Sequence, residues 1–120
     1  MKIVITGSYG LIGKYLLKTQ PIDESPEGTI TPKYKVIPTY RNNEVNGGVK
    51  MDVANHSEVI NILFKIRPDI IIHCAANGNV DEVEKNCIEA VRSDLLGVTH
   101  LVEYCEVWIV TGKQIGRAHV

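Results

Sequence analysis

The stretch Lys2-Ile3-Val4-Ile5-Thr6-Gly7-Ser8-Tyr9-Gly10-Leu11-Ile12-Gly13 lies at the start of a 120-residue chain and decides its fold. It begins as an apolar run of the length of a buried strand, and helical spacing of apolar residues starts at Leu11. Between them, glycines stand at every third position. Glycine allows a tight turn and the close approach of an anion, and a helix start offers free N–H groups. The stretch therefore predicts a dinucleotide-binding turn, with a plain strand-to-helix turn as the alternative.

The length and composition predict one soluble globular domain. The chain is 44% hydrophobic and 22% charged with a formal net charge of -1, which gives no reason to expect nucleic acid. No stretch approaches the ~20 apolar residues of a membrane helix, and we expect no signal peptide. Cys74, Cys87 and Cys105 are odd in number and lack metal-ligand spacing, so we expect reduced thiols of a cytoplasmic protein and no metal, with a catalytic cysteine as the alternative.

Strand and helix patterns alternate along the chain and predict an α/β fold with a parallel sheet. The expected strands are Ile3–Ile5, Tyr34–Tyr40, Val49–Val53, Asp69–Ala75 and Val107–Thr111. The expected helices are Leu11–Thr19, Asn55–Arg67 and a long one that ends near Cys105. Residues 21–33 are expected to form a surface loop, and Pro38 indicates an edge strand or a late bend. The carboxyl ends of the first and fourth strands are the predicted ligand site.

Apolar periodicity predicts which helix faces are buried. In the first helix, Leu11, Ile12, Tyr15 and Leu16 are expected to face inward. The second helix has Val59, Ile62, Leu63 and Ile66 on one face, and the third has Ile88, Val91, Leu95, Val98 and Val102 at helical spacing. Asn55 and Glu58 have the spacing of a capping box. His73 is expected to be a hydrogen-bonded core histidine, with a catalytic role as the alternative, and His100 is expected to be half exposed.

Several pieces of the chain, taken in order, resemble the extended short-chain dehydrogenase/reductases, in particular the NAD(P)-dependent sugar epimerases and dehydratases. They are residues 6–13, Tyr40-Arg41, Asp52-Val53, Arg67-Pro68-Asp69, residues 72–76, Val80-Asp81 and residues 94–97. The resemblance covers about residues 1–106. It implies a Rossmann-like doubly wound parallel sheet with strand order 3-2-1-4-5 at most. It also implies hydride transfer at a carbon of a nucleotide sugar, the expected substrate of the full-length parent.

The resemblance implies a role for each residue of a cofactor site. Gly7, Gly10 and Gly13 would shape the turn, and the backbone of Tyr9, Leu11 and Ile12 would meet the pyrophosphate. Asp52 would accept a hydrogen bond from the adenine amino group, and Val53 would line the ring. Ala75 and Ala76 would lie along the ribose and nicotinamide.

Arg41 bears on the choice between the two nicotinamide cofactors. An acidic residue after the second strand favours NAD, because it accepts hydrogen bonds from the ribose hydroxyls. This chain has Tyr40-Arg41 there, and a guanidinium suits a 2′-phosphate. We therefore expect NADP, with NAD as the alternative if Arg41 is a solvated residue that stacks on adenine without discriminating.

The catalytic residues that the resemblance implies are absent from this sequence. The family uses a Tyr-x-x-x-Lys pair, and no tyrosine of the chain has a lysine four residues later. Asp94 also stands where the family usually has asparagine, and an ordinary solvated residue explains it equally well. We therefore assign no catalytic residue and expect a cofactor-binding half that is inactive alone. A non-catalytic binding module of the same fold and a translated broken gene are the alternatives.

The end of the sequence does not fit the expected fold. The linker between the long helix and the fifth strand is reduced to Cys105-Glu106-Val107, and residues 114–120 match no element. We expect residues 1–111 to form the N-terminal part of a dinucleotide-binding domain and residues 112–120 to be a non-native tail.

Overall fold

The computed structural model describes residues 1–75 and 84–115, with side chains up to residue 106. The described residues fall into two compact units, Met1–Met51 with residues 66–75 and Asp52–Lys65 with residues 84–115. The strands are β1 (Lys2–Thr6), β2 (Ile22–Glu24), β3 (Ile30–Pro32), β4 (Lys35–Tyr40), β5 (Val49–Lys50) and β6 (Ile70–His73). The helices are α1 (Leu11–Lys18), α2 (His56–Ile66) and α3 (Cys87–Ile115).

The first unit is built on a parallel sheet of four strands in the order β5-β4-β1-β6. In β1, Ile5 is in register with Pro38 on one side and Ile72 on the other. The chain builds outward from β1 through β4 to β5 and then returns to β6 on the opposite side of β1. The predicted parallel sheet and the order of its first four strands are confirmed, and a topological switch point lies at β1 and β6.

Pro38 lies in an interior strand, so of the edge strand and the late bend that it suggested, the edge strand is wrong. Tyr40 accepts a hydrogen bond from Met51 N–H on the β5 side. Residues two apart in a strand point the same way, so Pro38 also faces the β5 side. β5 pairs only with Thr39 and Tyr40. The missing N–H of Pro38 therefore falls where β5 has not yet begun.

The segment predicted as a surface loop, residues 21–33, contains a β-hairpin. β2 and β3 pair antiparallel, with Asp23 opposite Thr31. The turn is closed by a hydrogen bond from Ser25 N–H to the Thr29 carbonyl oxygen at 2.9 Å, and Gly28 adopts a φ of 84°. A glycine at this positive φ explains why the turn signal was correct while the flanking strands were missed.

The predicted buried face of α1 is wrong for three of its four residues. Leu11, Ile12 and Tyr15 are exposed, Leu11 by 88%. The face with lower exposure has Gly13, Leu16, Leu17 and Gln20. This face is set by Gly13, because a helix packed through a glycine brings its backbone against its neighbour and turns the opposite side to solvent.

The second unit has its buried apolar residues on α2 and α3. Val59 and Leu63 of α2 are buried, as predicted, and so are Leu101 and Tyr104 of α3. The rings of Phe64 and Tyr104 meet edge to face with centroids 5.1 Å apart. The helices are thus joined by apolar and aromatic packing.

Two predictions for the long helix are wrong. Residues 107–111 are helical rather than a fifth strand, and α3 continues through Ile115. No proline or glycine interrupts residues 98–111, so the helix continues through the β-branched residues there. The five apolar residues at helical spacing are exposed: Ile88, Val91, Leu95, Val98 and Val102. Within the described residues, no helix is long and apolar enough to cross a membrane.

Candidate functional site

The carboxyl ends of β1 and β6 meet at Gly7. Its φ of 65° lies in the left-handed region that L side chains rarely adopt. A Cβ built on Gly7 would lie 2.6 Å from the backbone nitrogen of Ala75 and 2.6 Å from the carbonyl carbon of Cys74. Glycine is therefore required here twice, by conformation and by the close approach of the two backbones.

The start of α1 is packed directly against the same turn. A Cβ on Gly13 would overlap the carbonyl oxygen of Gly7 and would come within 2.7 Å of Ser8 Cα. Ser8 is buried and donates through Oγ to the Ile5 carbonyl oxygen at 2.8 Å, while its N–H donates to the Thr39 carbonyl oxygen at 3.1 Å. These contacts lock the turn to β1 and β4.

Gly10 differs from the other two glycines because no contact in the described chain requires a glycine at this position. A Cβ there would meet the Gly7 carbonyl oxygen at 3.4 Å, an ordinary contact. Gly10 is the N-cap of α1, and in the described part of the chain no side chain caps this helix. The backbone N–H groups that follow, at Leu11 and Ile12, therefore belong to an uncapped helix start, which favours an anion.

Tyr9 lies in the turn and is half exposed, by 48%. The Nζ atom of Lys14 stands 4.0 Å from the centroid of the Tyr9 ring, a cation–π distance. A positive charge is thereby held beside the glycine turn.

Thr6 joins the two strand ends below the turn. Its hydroxyl accepts hydrogen bonds from Cys74 N–H at 3.0 Å and Ala75 N–H at 3.2 Å, and lies 2.7 Å from His73 Nδ1. Because Oγ1 already accepts twice, its own hydrogen goes to Nδ1 of His73, which leaves Nε2 as the protonated nitrogen of the neutral ring. His73 is thus the hydrogen-bonded histidine that the sequence predicts. These hydrogen bonds of Thr6 were not predicted from the sequence, although a hydroxyl residue at the end of a buried strand indicates such a role.

Arg41 directly follows the last residue of β4 and is exposed. No ion pair involves Arg41 in the described part of the chain. Its guanidinium is therefore available to an anionic ligand.

Asp52 and Val53 lie in the second unit, in the segment that leads into α2. The Asp52 Oδ1 atom accepts a hydrogen bond from Ala54 N–H at 3.0 Å, and the Asp52 carbonyl oxygen accepts one from Asn55 N–H at 2.9 Å. Asn55 caps α2 as predicted, since its Oδ1 accepts from Glu58 N–H at 3.2 Å. Glu58 departs from the predicted capping box, because its Oε1 accepts from Asp52 N–H at 3.4 Å.

His100 reaches this segment from α3. Its Nδ1 lies 2.8 Å from the Val53 carbonyl oxygen. The residue is only 8% exposed, so the prediction of a half-exposed side chain is wrong. The cause is its place on the buried face of α3, between Gly97 and Tyr104.

The other predicted positions are less informative. Ala75 is half-buried at the switch point, whereas Ala76 lies outside the described residues. Cys74 is half-buried, and burial raises the pKa of its thiol, which argues against an activated thiolate. No cluster of three or more His, Cys, Asp or Glu side chains in residues 1–75 and 84–106 could hold a metal ion.

The sequence of this chain is similar to those of known proteins. The family model described as the RmlD substrate binding domain matches residues 1–111. The dTDP-glucose 4,6-dehydratase of Haemophilus influenzae is 27% identical over 109 residues, which are 86% of this chain and 32% of that protein.

Solved structures also match. A hypothetical dTDP-4-dehydrorhamnose reductase from Sulfolobus tokodaii superposes with a TM-score of 0.68 at 29% identity, over 89% of this chain and 36% of that one. The dTDP-4-dehydrorhamnose reductase from Bacillus anthracis, solved in complex with NADP, gives 0.62 at 31% identity, over 82% of this chain and 30% of that one. The chain thus spans about a third of the length of these relatives. Its glycine turn, parallel sheet and match over residues 1–111 make it a member of the RmlD substrate binding domain family, within the extended short-chain dehydrogenase/reductases.

Proposed function

We propose that this chain is the cofactor-binding part of a cytoplasmic enzyme that transfers hydride between a nicotinamide dinucleotide and a sugar carbon of a nucleotide sugar. The observation that carries the proposal is the contact between Gly7 and Ala75 at the switch point. There the two strand ends meet with no side chain on one residue and a methyl group on the other. The names of the dehydratase and reductase relatives support a dTDP-linked sugar as the substrate class.

The bound dinucleotide would supply the hydride chemistry, and this chain's residues would hold it. The uncapped start of α1 suits the pyrophosphate. The backbone N–H groups of Tyr9, Leu11 and Ile12 would donate to it, and Gly10, which has no side chain, would allow the pyrophosphate to approach. Asp52 would accept from the adenine amino group, with Val53 against the ring. Ala75 and Ala76 would leave room for the ribose and nicotinamide.

We propose NADP as the cofactor, with Arg41 as the residue that selects it. Its exposed guanidinium, unpaired in the described chain, would form charge-assisted hydrogen bonds to a 2′-phosphate. The reductase from Bacillus anthracis was solved with NADP, which supports the same choice.

The glycine turn is tested by titrating NADPH into the 120-residue chain and into a Gly10→Ala variant. The added methyl group has room in the fold, so the thermal midpoint should stay within about 2 °C of the wild-type value. It would project toward the proposed pyrophosphate, and we expect affinity to fall by at least about tenfold. Unchanged NADPH affinity in a folded variant would refute the pyrophosphate site.

Cofactor choice is tested by Arg41→Gln, with NADPH and NADH titrated separately. We expect about a tenfold or larger loss for NADPH, as for a lost charged hydrogen bond, and less than about a twofold change for NADH. Lys35→Gln removes the same charge at the opposite end of β4 and should change neither affinity. Tighter binding of NADH than of NADPH by the wild-type chain would overturn the choice of NADP.

A non-catalytic binding module is the second candidate function. The family's Tyr-x-x-x-Lys pair is what would distinguish it from the enzyme. A longer protein that contains this segment and such a pair would support the enzyme. A longer protein that binds the cofactor, lacks the pair and does not turn over a dTDP-linked sugar would support the module.

A further inference from the structure

We infer that His100 is a positioning residue for the adenine end of the cofactor and acts through one peptide unit, that between Val53 and Ala54. The inference rests on the proposed cofactor site. His100 Nδ1 lies 2.8 Å from the Val53 carbonyl oxygen. A carbonyl oxygen only accepts, so Nδ1 carries the hydrogen and donates it.

The same peptide unit also holds the carboxylate of Asp52. The carbonyl oxygen of this peptide unit belongs to Val53 and is held by His100. The N–H of the unit belongs to Ala54 and donates to Asp52 Oδ1 at 3.0 Å. A peptide unit is planar, so the direction of its C=O bond also sets the direction of its N–H bond. Loss of the His100 bond would let this unit rotate and release the Asp52 carboxylate from its present orientation.

The other hydrogen bonds of this segment are local. Asp52 N–H donates to Glu58 Oε1, and Asn55 N–H donates to the Asp52 carbonyl oxygen. These bonds involve other peptide units, and neither is made by the Val53 carbonyl oxygen or by Ala54 N–H. The hydrogen bond from His100 differs from these local bonds because it connects this peptide unit to α3.

The imidazole of His100 is itself held in place. The His56 ring meets it edge-on with centroids 5.2 Å apart, and His56 Nε2 lies 3.1 Å from Glu103 Oε2. Burial of His100 to 8% exposure further limits its rotation. The donor is therefore presented to Val53 in one orientation, as a positioning role requires.

The consequence is specific to the base of the cofactor. An oriented carboxylate at Asp52 would accept a hydrogen bond from the amino group of adenine, whereas hypoxanthine has at that position a carbonyl oxygen, which accepts and cannot donate. Removing the His100 donor should therefore weaken binding of the adenine cofactor and have little effect on its hypoxanthine analogue.

The experiment compares His100→Asn with His100→Gln in the 120-residue chain. The side-chain amide nitrogen of asparagine stands where Nδ1 stands in histidine, whereas that of glutamine reaches the position of Nε2. NADPH and its hypoxanthine analogue are titrated calorimetrically into each protein. We expect His100→Asn to bind NADPH within about threefold of wild type and His100→Gln to bind it at least about tenfold more weakly. The analogue should change by less than about threefold in both.

A double-mutant cycle with Asp52→Asn separates positioning from a general loss of structure. If His100 acts through Asp52, His100→Gln should weaken NADPH binding by less than about a further twofold in the Asp52→Asn background. Equal weakening of both cofactors by His100→Gln, or equal losses in the Asn and Gln variants, would overturn the inference while leaving the proposed function intact. A wild-type chain that binds neither cofactor would refute the proposed function, and this inference with it.

Discussion

Thr6 Oγ1 lies 2.7 Å from His73 Nδ1, at the point where two parallel strands end side by side. The same hydroxyl accepts from Ala75 N–H, the nitrogen that faces Gly7. One buried side chain thus fixes both the tautomer of a histidine and the backbone against which the glycine turn closes. The glycine turn depends on Thr6 as well as on its glycines.

Replacement of Thr6 by valine should destabilise the fold by about 1–3 kcal/mol, because it removes the hydrogen-bond partner of His73 Nδ1 and Ala75 N–H without changing the side-chain shape. Urea unfolding measures the loss. Thr39→Val is the matched control, since Thr39 is also buried and donates to the Ile5 carbonyl oxygen at 3.2 Å, which keeps a bond from Ser8. Equal losses of unfolding free energy in the two variants would show that the Thr6 hydroxyl stabilises the fold no more than the Thr39 hydroxyl does.

Gly13→Ala should be much more damaging than Gly10→Ala. The new Cβ would overlap the Gly7 carbonyl oxygen and the Ser8 backbone, which are main-chain atoms that cannot rotate away. We expect a loss of about 1–3 kcal/mol or more for Gly13→Ala and less than about 0.5 kcal/mol for Gly10→Ala. Urea midpoints of the two variants check this difference. A Gly13→Ala protein as stable as wild type would mean that α1 does not pack on the turn as described.

The parts of the fold that the sequence predicts correctly depend on local pattern. The glycine spacing, the strands β1 and β4 and the Asn55 cap follow from residues close together in the chain. The errors depend on contacts between distant residues. The face of α1 is decided by Gly13 against Gly7 rather than by its larger apolar residues.

The candidate site divides in the same way. The glycines and Asp52 belong to recognisable motifs, whereas the roles of Thr6 and His100 arise from partners 67 and 47 residues away. No periodicity within one element indicates which distant residue each of them meets, so their hydrogen-bond partners are apparent only in the folded chain.

The thiol of Cys74 should react slowly at neutral pH. Burial raises its pKa, and the thiolate is the reactive form. In a Cys87→Ser, Cys105→Ser background, we expect labelling by a disulfide reagent to be slower than that of a free thiol at pH 7. We also expect it to keep accelerating with pH above the pKa of a free thiol, about 8.5. Labelling at pH 7 as fast as for an unstructured peptide would contradict the effect of burial, and Cys74→Ser supplies the blank.

The raised pKa of Cys74 also has a consequence for stability. The folded chain keeps the proton at a pH where the unfolded chain has lost it, so the contribution is complete below the unfolded pKa of about 8.5. The free energy of unfolding should then fall as the pH rises through the higher folded pKa. Cys74→Ser should reduce this part of the pH dependence, as measured by urea unfolding between pH 7 and pH 10.

The exposed stripe of α3, formed by Ile88, Val91, Leu95, Val98 and Val102, has alternating spacings of three and four residues. It lies on one side of the helix, whereas Gly97, His100, Leu101 and Tyr104 are buried on another. A contiguous apolar strip in water promotes association. The 120-residue chain is therefore expected to aggregate at moderate concentration.

Leu95→Glu should reduce that aggregation. Leu95 is 65% exposed, so the charge stays in water and breaks the apolar strip at its centre, and the free energy of unfolding should change by less than about 0.5 kcal/mol. Light scattering against protein concentration, together with urea unfolding, measures both effects. Leu101→Glu is the matched control on the buried face, where an unpaired charge should destabilise by several kcal/mol. If Leu95→Glu were as destabilising as Leu101→Glu, the stripe would have to be packed against protein rather than exposed, and the expected cause of aggregation would be wrong.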